Sequence, residues 1–239
     1  MERIVFYNGE PLRYRLDYKK VKNVNIRVAP DGSVLVSANR RVAAAEVDCI
    51  VQKKAAWIAR ARTHYAECRT QPQMPRAYTE GEPVRLLGTG YRLHLQPSAW
   101  EYVVVEGGSI CLFVKDPSNF SNRKKAFDGW YQSRCKGIFE AVAARVFPLF
   151  KQYRIPMPVF SIRRMKTRWG SCSPQKQAVT LNLYLAEAPV ACIEYVIAHE
   201  LAHLVHPDHS PRFYAVLDSV MPDHRERRAL LREQKIDCF

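Results

Sequence analysis

Two histidines and a glutamate stand at the spacing that a metal-dependent hydrolase requires. His199, Glu200 and His203 form an HExxH motif, and the apolar residues around it recur at helical spacing. Residues four apart lie about one turn apart on the same face of a helix, so both imidazoles can bind one ion. Glu200 is displaced around the helix and can act as a base without being a ligand. The segment therefore predicts a metal site on a helix.

A catalytic zinc ion usually has three protein ligands and keeps a fourth position for water. His209 is the preferred third ligand, because it stands at the spacing of the last histidine in HExxHxxGxxH metalloproteases. Pro207 also turns the chain so that His209 can approach the ion. His206 is the rival, but one straight helix does not easily wrap three side chains around a metal. We expect Zn²⁺ at His199, His203 and His209, with His206 in a supporting or surface position.

The expected chemistry is metal-assisted hydrolysis. Zn²⁺ lowers the pKa of a water molecule, Glu200 accepts its proton, and the hydroxide attacks a carbonyl or phosphoryl centre. Developing negative charge needs a second electrophile, for which Arg168 and Tyr214 are candidates. Both residues also fit a structural role, Arg168 on a solvated strand face and Tyr214 in packing beneath the site. Cys172 is expected to pack beside the site and not to act as a nucleophile.

The segment 178–185 directly precedes the metal helix and has the pattern of a strand. An exposed strand edge there could bind an extended peptide through main-chain hydrogen bonds, which would favour a peptidase. An interior strand of the sheet is the alternative.

Two groups of elements must position these residues. In the first, short strands precede a single amphipathic helix, and a proline-containing linker and more short strands follow. These strands are expected at 4–7, 12–18, 25–28, 34–37, 84–87, 91–95, 102–105 and 110–114, with a turn at Pro30-Asp31-Gly32, the helix over 43–68 and the linker over 70–76. The first four strands should form a small antiparallel sheet.

The second group carries the motif. A helix is expected over 122–153, which Pro148 kinks or ends early. Strands at 159–165 and 178–185 follow, then a helix from Pro189 to about His206, a helix with Ser210 as N-cap, and a last helix that begins at Asp223. We expect an α+β fold, with residues 1–120 as a β-rich N-terminal module containing one helix and 121–239 as the catalytic domain. The sequence shows no internal repeat.

Composition limits the partners. The chain has 37 Lys and Arg against 23 Asp and Glu, a net charge of +14 that attracts polyanions such as nucleic acid. A generally basic surface explains the charge equally well. Seven cysteines without a CxxC pair favour a reducing compartment, and no apolar run suggests a signal peptide or membrane helix. We expect a soluble, cytoplasmic protein.

Three sequence blocks resemble the YgjP-like metallopeptidase-domain family, which is distantly related to SprT-like zincins. The blocks are residues 164–173, 181–183 and 193–210, and the closing Met221-Pro222-Asp223 also fits. The resemblance implies a minimal zincin domain in which the three histidines bind zinc and Glu200 is the catalytic acid/base. No departure is found at these four positions.

The resemblance leaves the substrate open between a peptide or protein and a nucleoside triphosphate. The family is called metallopeptidase-like by motif and is also associated with nucleotide (UTP) pyrophosphatase activity. Arg163, Arg164, Lys166 and Arg168 would suit phosphate binding in the second case. A third hypothesis is a basic nucleic-acid-associated protein with structural zinc, against which the intact Glu200 argues, because a closed four-ligand site has no use for a base.

Overall fold

The computed structural model describes residues 1–29, 31–69, 76–165 and 168–234, and for 64–69 the backbone alone. The chain divides into two compact units, Met1–Gln73 and Met74–Phe239. The predicted boundary between residues 120 and 121 therefore falls inside the second unit. Both units mix helices and strands, as the α+β prediction requires.

The first unit is a four-stranded sheet followed by helices. Its elements are β1 (Glu2–Tyr7), β2 (Glu10–Tyr18), β3 (Asn25–Val28), β4 (Val34–Ala38), α1 (Ala44–Lys53) and α2 (Ala55–Arg69). Strand order is β1-β2-β4-β3. The sheet was predicted to be antiparallel and is mixed instead, because β4 lies parallel to β2. The hairpin of β3 and β4 brings β4 beside β2 and leaves β3 at the edge.

The core of the first unit lies on the side of the sheet covered by α1. Val47 and Val51 of α1 are fully buried in one cluster with Leu16 and Val36 of the sheet. The single helix predicted over 43–68 is two helices, since α1 ends at Lys53. The amide of Lys54 is shared between the carbonyls of Ile50 and Val51, which is typical of a closing turn.

The second unit begins with a sheet that repeats the topology of the first. Its elements are β5 (Pro83–Leu86), β6 (Thr89–Pro97), β7 (Tyr102–Glu106), β8 (Ser109–Val114) and α3 (Phe120–Val146). Strand order is β5-β6-β8-β7, and β6 and β8 are parallel, as β2 and β4 are. The first hairpin turns match as well, with positive φ at Asn8-Gly9 and at Leu87-Gly88. The structure therefore contains a topological repeat that the sequence did not reveal.

The rest of the second unit carries the HExxH motif. Its elements are a 3-10 segment (Phe147–Tyr153), β9 (Val159–Arg163), β10 (Gly170–Ser173), β11 (Ala178–Asn182), a 3-10 segment (Leu183–Glu187), α4 (Val190–Val205), α5 (Pro211–Val220) and α6 (His224–Glu233). The prediction that Pro148 ends the long helix early is confirmed, because α3 stops at Val146. The three-stranded sheet has the order β10-β11-β9, so β11 is the interior strand and β10 lies at an edge.

One hydrophobic core unites the second unit. It contains Leu93 and Ile110 of the β5–β8 sheet, Phe139 of α3, and Ile197 and Leu201 of α4. The sheet of β5–β8 therefore shares its core with α3 and α4, which is why the unit begins before residue 120. Within the described ranges, no helix combines the length and apolar character needed to cross a membrane.

Candidate metal centre and active site

The helix α4 presents the HExxH motif from the middle of the core. Pro189 occupies its N-cap position, and the helix ends at Val205, where the amide of His206 donates to the carbonyl of Ala202. Ile193, Ile197 and Leu201 are fully buried and fix the rotation of the helix. A helix held on its apolar faces is a rigid support for a site.

His199, His203 and His209 meet at one point, and we call them the histidine cluster. Their ring centroids lie 4.7–5.1 Å apart, and one ligand atom from each lies within 4.8 Å of the others. Nε2 of His199 and Nε2 of His209 are 3.1 Å apart. His209 belongs to the turn between α4 and α5. As predicted, the chain turns after Pro207 and brings His209 back to the two histidines of α4.

A phenylalanine forms the floor of the cluster. The ring of Phe213 lies 4.6–4.9 Å from all three imidazoles and is fully buried. His206 ends α4 and is not a member of the cluster, but its carbonyl oxygen lies 3.4 Å from Nδ1 of His203. That contact uses Nδ1 of His203 and leaves its Nε2 to face the cluster. The supporting role expected of His206 therefore falls to its backbone carbonyl, not to its side chain.

The cluster is electrostatically suited to a cation. Burial, and to a smaller extent the neighbouring His203 and His209, lower the pKa of His199 to about 3. Burial also lowers the pKa of His203. These imidazoles are therefore neutral at neutral pH, which is the form that binds a metal.

The donor set fits zinc. Nitrogen ligands lie about 2.0–2.1 Å from a tetrahedral zinc ion, which places two such nitrogens about 3.3 Å from each other. The 3.1 Å between the two Nε2 atoms of His199 and His209 is close to that value. Three imidazole nitrogens are also a ligand set that catalytic zinc accepts.

Glu200 lies beside the cluster, where α4 meets β10. Its side chain is 6% exposed, and burial raises its pKa to about 7 although the charge of Arg168 acts in the opposite direction. Gly170 of β10 makes this position possible: a Cβ atom there would lie 2.7 Å from Oε1 and 2.8 Å from Cγ of Glu200. Only a glycine allows the strand to approach the carboxylate this closely.

Two further residues support this corner. The Asn182 side chain, fully buried at the end of β11, donates to the carbonyls of Met165 and Arg168 at 2.9 Å and accepts from the amide of Met165. Asn182 thereby binds the backbone of both Met165 and Arg168, and Arg168 lines the pocket beside Glu200. Cys172 of β10 is half-buried, and burial together with the charge of Glu200 raises its pKa to about 11. Its thiol is protonated at neutral pH, as expected for a packing residue.

A pocket of about 310 Å³ opens beside Glu200 and His199. Three arginines line it, one before β10 and two on α6. Aromatic and apolar side chains form the rest of the wall. The lining residues used below are Arg168, Trp169, Tyr195, Arg228, Leu231 and Arg232.

Arg163, Arg164 and Tyr214 do not line the Glu200 pocket. Arg163 and Arg164 line a separate pocket, where Arg164 forms an ion pair with Asp128 at 3.2 Å. Lys166 lies outside the described residues. The ring of Tyr214 is half-buried, 6.5 Å from His209 and 6.4 Å from the buried His224. Of the basic run, Arg168 is the member that the structure places at the Glu200 pocket.

Sequence reasoning gave no role to Gly170, Asn182, Arg228 and Arg232. A signal existed for the two arginines, which stand four residues apart on a short arginine-rich helix. Asn182 is a polar residue between Leu181 and Leu183, which is unusual for a buried strand. Nothing local marks Gly170, because its importance arises from contact with a residue thirty positions away.

Comparison with known proteins identifies a family. A family model described as YgjP-like, metallopeptidase domain, matches residues 22–234. No curated protein matches the chain.

Two solved structures of archaeal metallopeptidase zymogens are similar to part of the chain. Abylysin of Pyrococcus abyssi is 22% identical over 43% of this chain and 97% of its own, with a TM-score of 0.33. Jannalysin of Methanocaldococcus jannaschii is 20% identical over 41% and 94%, also with a TM-score of 0.33. At these TM-scores neither similarity bears on the function of this chain.

Proposed function

This chain belongs to the YgjP-like metallopeptidase domain family, and we propose that it is a zinc-dependent peptidase with Glu200 as its general base. The observation that carries the proposal is the pairing of the histidine cluster with the buried carboxylate of Glu200, on the helix that supplies two of the three histidines. The family supports a metallopeptidase-like function, whereas the metal ligands and the base are our assignments.

The histidine cluster would hold the ion, with His199 and His203 from α4 and His209 from the following turn. A bound zinc ion supplies a Lewis acid, which lowers the pKa of water and polarises a carbonyl group. Burial keeps His199 and His203 neutral, and all three rings pack against Phe213. The site therefore requires little rearrangement when the metal enters.

Glu200 would accept the proton of the attacking water and return it to the leaving amine. Its carboxylate is held between α4 and Gly170, so its position relative to the cluster is set by two regular elements. Arg168 and Tyr214 remain the proposed donors to the developing oxyanion. Arg168 lines the same pocket as Glu200, whereas Tyr214 lies on the His209 side of the cluster.

The edge strand β10 gives a peptide a place to bind. It carries Gly170 at its first position. Within the described sheet β10 pairs only with β11, so its other edge has no strand partner there. An extended substrate could add to this edge through main-chain hydrogen bonds and pass Glu200. For the segment 178–185 the sequence left an exposed edge and an interior strand open, and β11 is the interior strand.

A second candidate is nucleoside triphosphate hydrolysis on the same scaffold, with UTP as the substrate that the family resemblance suggests. The three arginines around the Glu200 pocket favour it, because guanidinium groups bind phosphate oxygens well. Arg163 and Arg164 do not share that pocket. A third candidate, a nucleic-acid-associated protein with structural zinc, has the weakest support, because a structural ion has four protein ligands and the cluster of described residues has three.

One experiment separates the three candidates. Purified protein is loaded with zinc, its metal content is measured, and it is incubated with denatured proteins, with UTP and with single-stranded DNA. Glu200→Gln is the test variant, and Glu226→Gln, which changes an exposed carboxylate of α6, is the matched control.

Peptide cleavage that disappears in Glu200→Gln and persists in Glu226→Gln supports the peptidase. UTP cleavage with the same dependence supports the second candidate, and DNA binding without any cleavage supports the third. Peptide cleavage that survives Glu200→Gln would contradict the role of Glu200, and a protein that binds no zinc would contradict the metal site.

A further inference from the structure

Three arginine side chains make the pocket beside Glu200 cationic. Arg168, Arg228 and Arg232 all line it, and all three are exposed at its mouth, where a ligand can reach their guanidinium groups. No lining residue except Glu200 is acidic. Like charges gathered around one cavity attract an anion and raise its local concentration.

The ion pairs of α6 divide its arginines into two sets. Arg225 pairs with Asp218, and Arg227 pairs with Asp223 and Glu194. In contrast, Arg228 and Arg232, one turn apart on the pocket side, form no ion pair with a carboxylate of the described residues. Arg168 has none there either. The cations that face the pocket are thus the ones left available to a ligand.

The remaining wall gives the pocket a defined shape. Tyr195 and Leu231 are buried, and Trp169 and Val196 contribute further apolar surface. A cavity of about 310 Å³ has room for one large side chain or one small anionic group, but not for a folded partner. Apolar walls with a few cationic groups at the mouth suit a short aliphatic stem that ends in a carboxylate.

We propose that this pocket binds the carboxylate of an acidic residue in a peptide substrate and so selects glutamate or aspartate next to the cleaved bond. The proposal rests on the peptidase function and adds its substrate class. Arg228 and Arg232 are the specificity-determining residues, because they line the pocket from α6, which supplies neither the proposed metal ligands nor the proposed base. A phosphate group shares the same chemistry, so UTP is the competing ligand.

The test compares two peptides that differ in one group. Identical capped peptides carry either Glu or its uncharged isostere Gln, and their binding is measured with the zinc-loaded Glu200→Gln protein, which is expected not to consume them. Arg228→Gln/Arg232→Gln is the test variant in that background. Arg225→Gln, which removes a cation from the same helix outside the pocket, is the matched control, and thermal unfolding checks that all variants fold.

The Glu peptide should bind about tenfold or more tightly than the Gln peptide, as charge-assisted hydrogen bonds predict. The double variant should lose that preference, and Arg225→Gln should keep it. Equal binding of the two peptides would overturn the proposal. UTP binding that depends on Arg228 and Arg232, without preference for the Glu peptide, would also overturn it and assign the pocket to phosphate.

Failure of the peptidase function would look different. A preference for the Glu peptide, lost in the double variant, together with no cleavage by zinc-loaded wild-type protein would refute hydrolysis and leave the anion pocket standing. Cleavage of the Glu and Gln peptides at equal rates would support hydrolysis and reject the pocket.

Discussion

Gly170→Ala should impair the proposed general base while leaving metal binding intact. The added Cβ would lie 2.8 Å from Cγ of Glu200 and 3.0 Å from Cδ, whereas carbon atoms in contact prefer about 3.5–4.0 Å. Rotating the carboxylate does not relieve the clash, because Cγ is involved. The strand cannot easily retreat either, since Gly170 pairs with Leu181 and the carbonyl of Trp169 accepts from the amide of Asn182 at 2.8 Å. Glu200 must therefore recede by about 0.7 Å.

A displacement approaching 1 Å can lower a rate by roughly 100-fold, so we expect kcat for peptide cleavage to fall by about 10- to 100-fold. Overpacking should also cost about 1–3 kcal/mol of stability. The measurements are kcat with a cleaved peptide, zinc content, and unfolding in urea. Zinc content should stay at the wild-type level, because the histidine cluster is not touched.

Gly90→Ala is the matched control. Gly90 also lies in a strand, but a Cβ there has nothing within 4 Å, so the variant should keep wild-type activity and stability. If Gly170→Ala kept both kcat and stability, the contact between β10 and Glu200 would not position the base. Loss of zinc in Gly170→Ala would equally refute the reasoning, because it would show that the substitution acts on the metal site.

Three further predictions follow from other parts of the molecule. Alanine at any one position of the histidine cluster should weaken zinc binding by more than the roughly 10- to 100-fold typical of a supporting residue, whereas His206→Ala, which keeps its backbone carbonyl, should retain zinc, as metal analysis after dialysis would show. Asn182→Ala should lower the free energy of unfolding by about 2 kcal/mol, because it leaves the carbonyls of Met165 and Arg168 unpaired; an unchanged urea midpoint would contradict this. In the first unit, hydrogen bonds from Arg3 and Tyr14 lower the pKa of Asp48 below its ordinary value of 3.8. The contribution of Asp48 to stability is therefore present above pH 3.8 and is lost as the pH falls through the lowered pKa. Asp48→Asn should abolish this part of the acid dependence, as urea unfolding at several pH values would show.

The sequence predicted that His199, His203 and His209 come together, because the determinants of this cluster are local. The spacing of His199 and His203 is a property of one helix, and Pro207 and Pro189 mark where that helix can begin and end. The choice of His209 over His206 followed from the same argument about where the helix stops. None of these steps required knowledge of which elements pack together.

The parts that were missed depend on packing between distant segments. Strand alternation looks alike in β1–β4 and in β5–β8, so it could not show that the second sheet shares its core with α3 and α4. For the same reason the sequence pattern favours a domain boundary at residue 120, and it does not show the common topology of the two sheets. The contact of Gly170 with Glu200 and the direction of Arg228 exist only once β10 and α6 are placed against α4.

The helix α4 combines local determinants with packing between distant segments. Its apolar faces are buried against the core, one polar face carries two members of the histidine cluster, and Glu200 points towards β10 and the arginine pocket. A general base must keep its position to a fraction of an ångström, which a helix locked on several sides provides better than a loop. Substrate selection tolerates more freedom, and here the proposed determinants are long arginine side chains on the last helix. Changes on α6 should therefore alter which peptide is bound, whereas changes at Gly170 should alter how fast any peptide is cleaved.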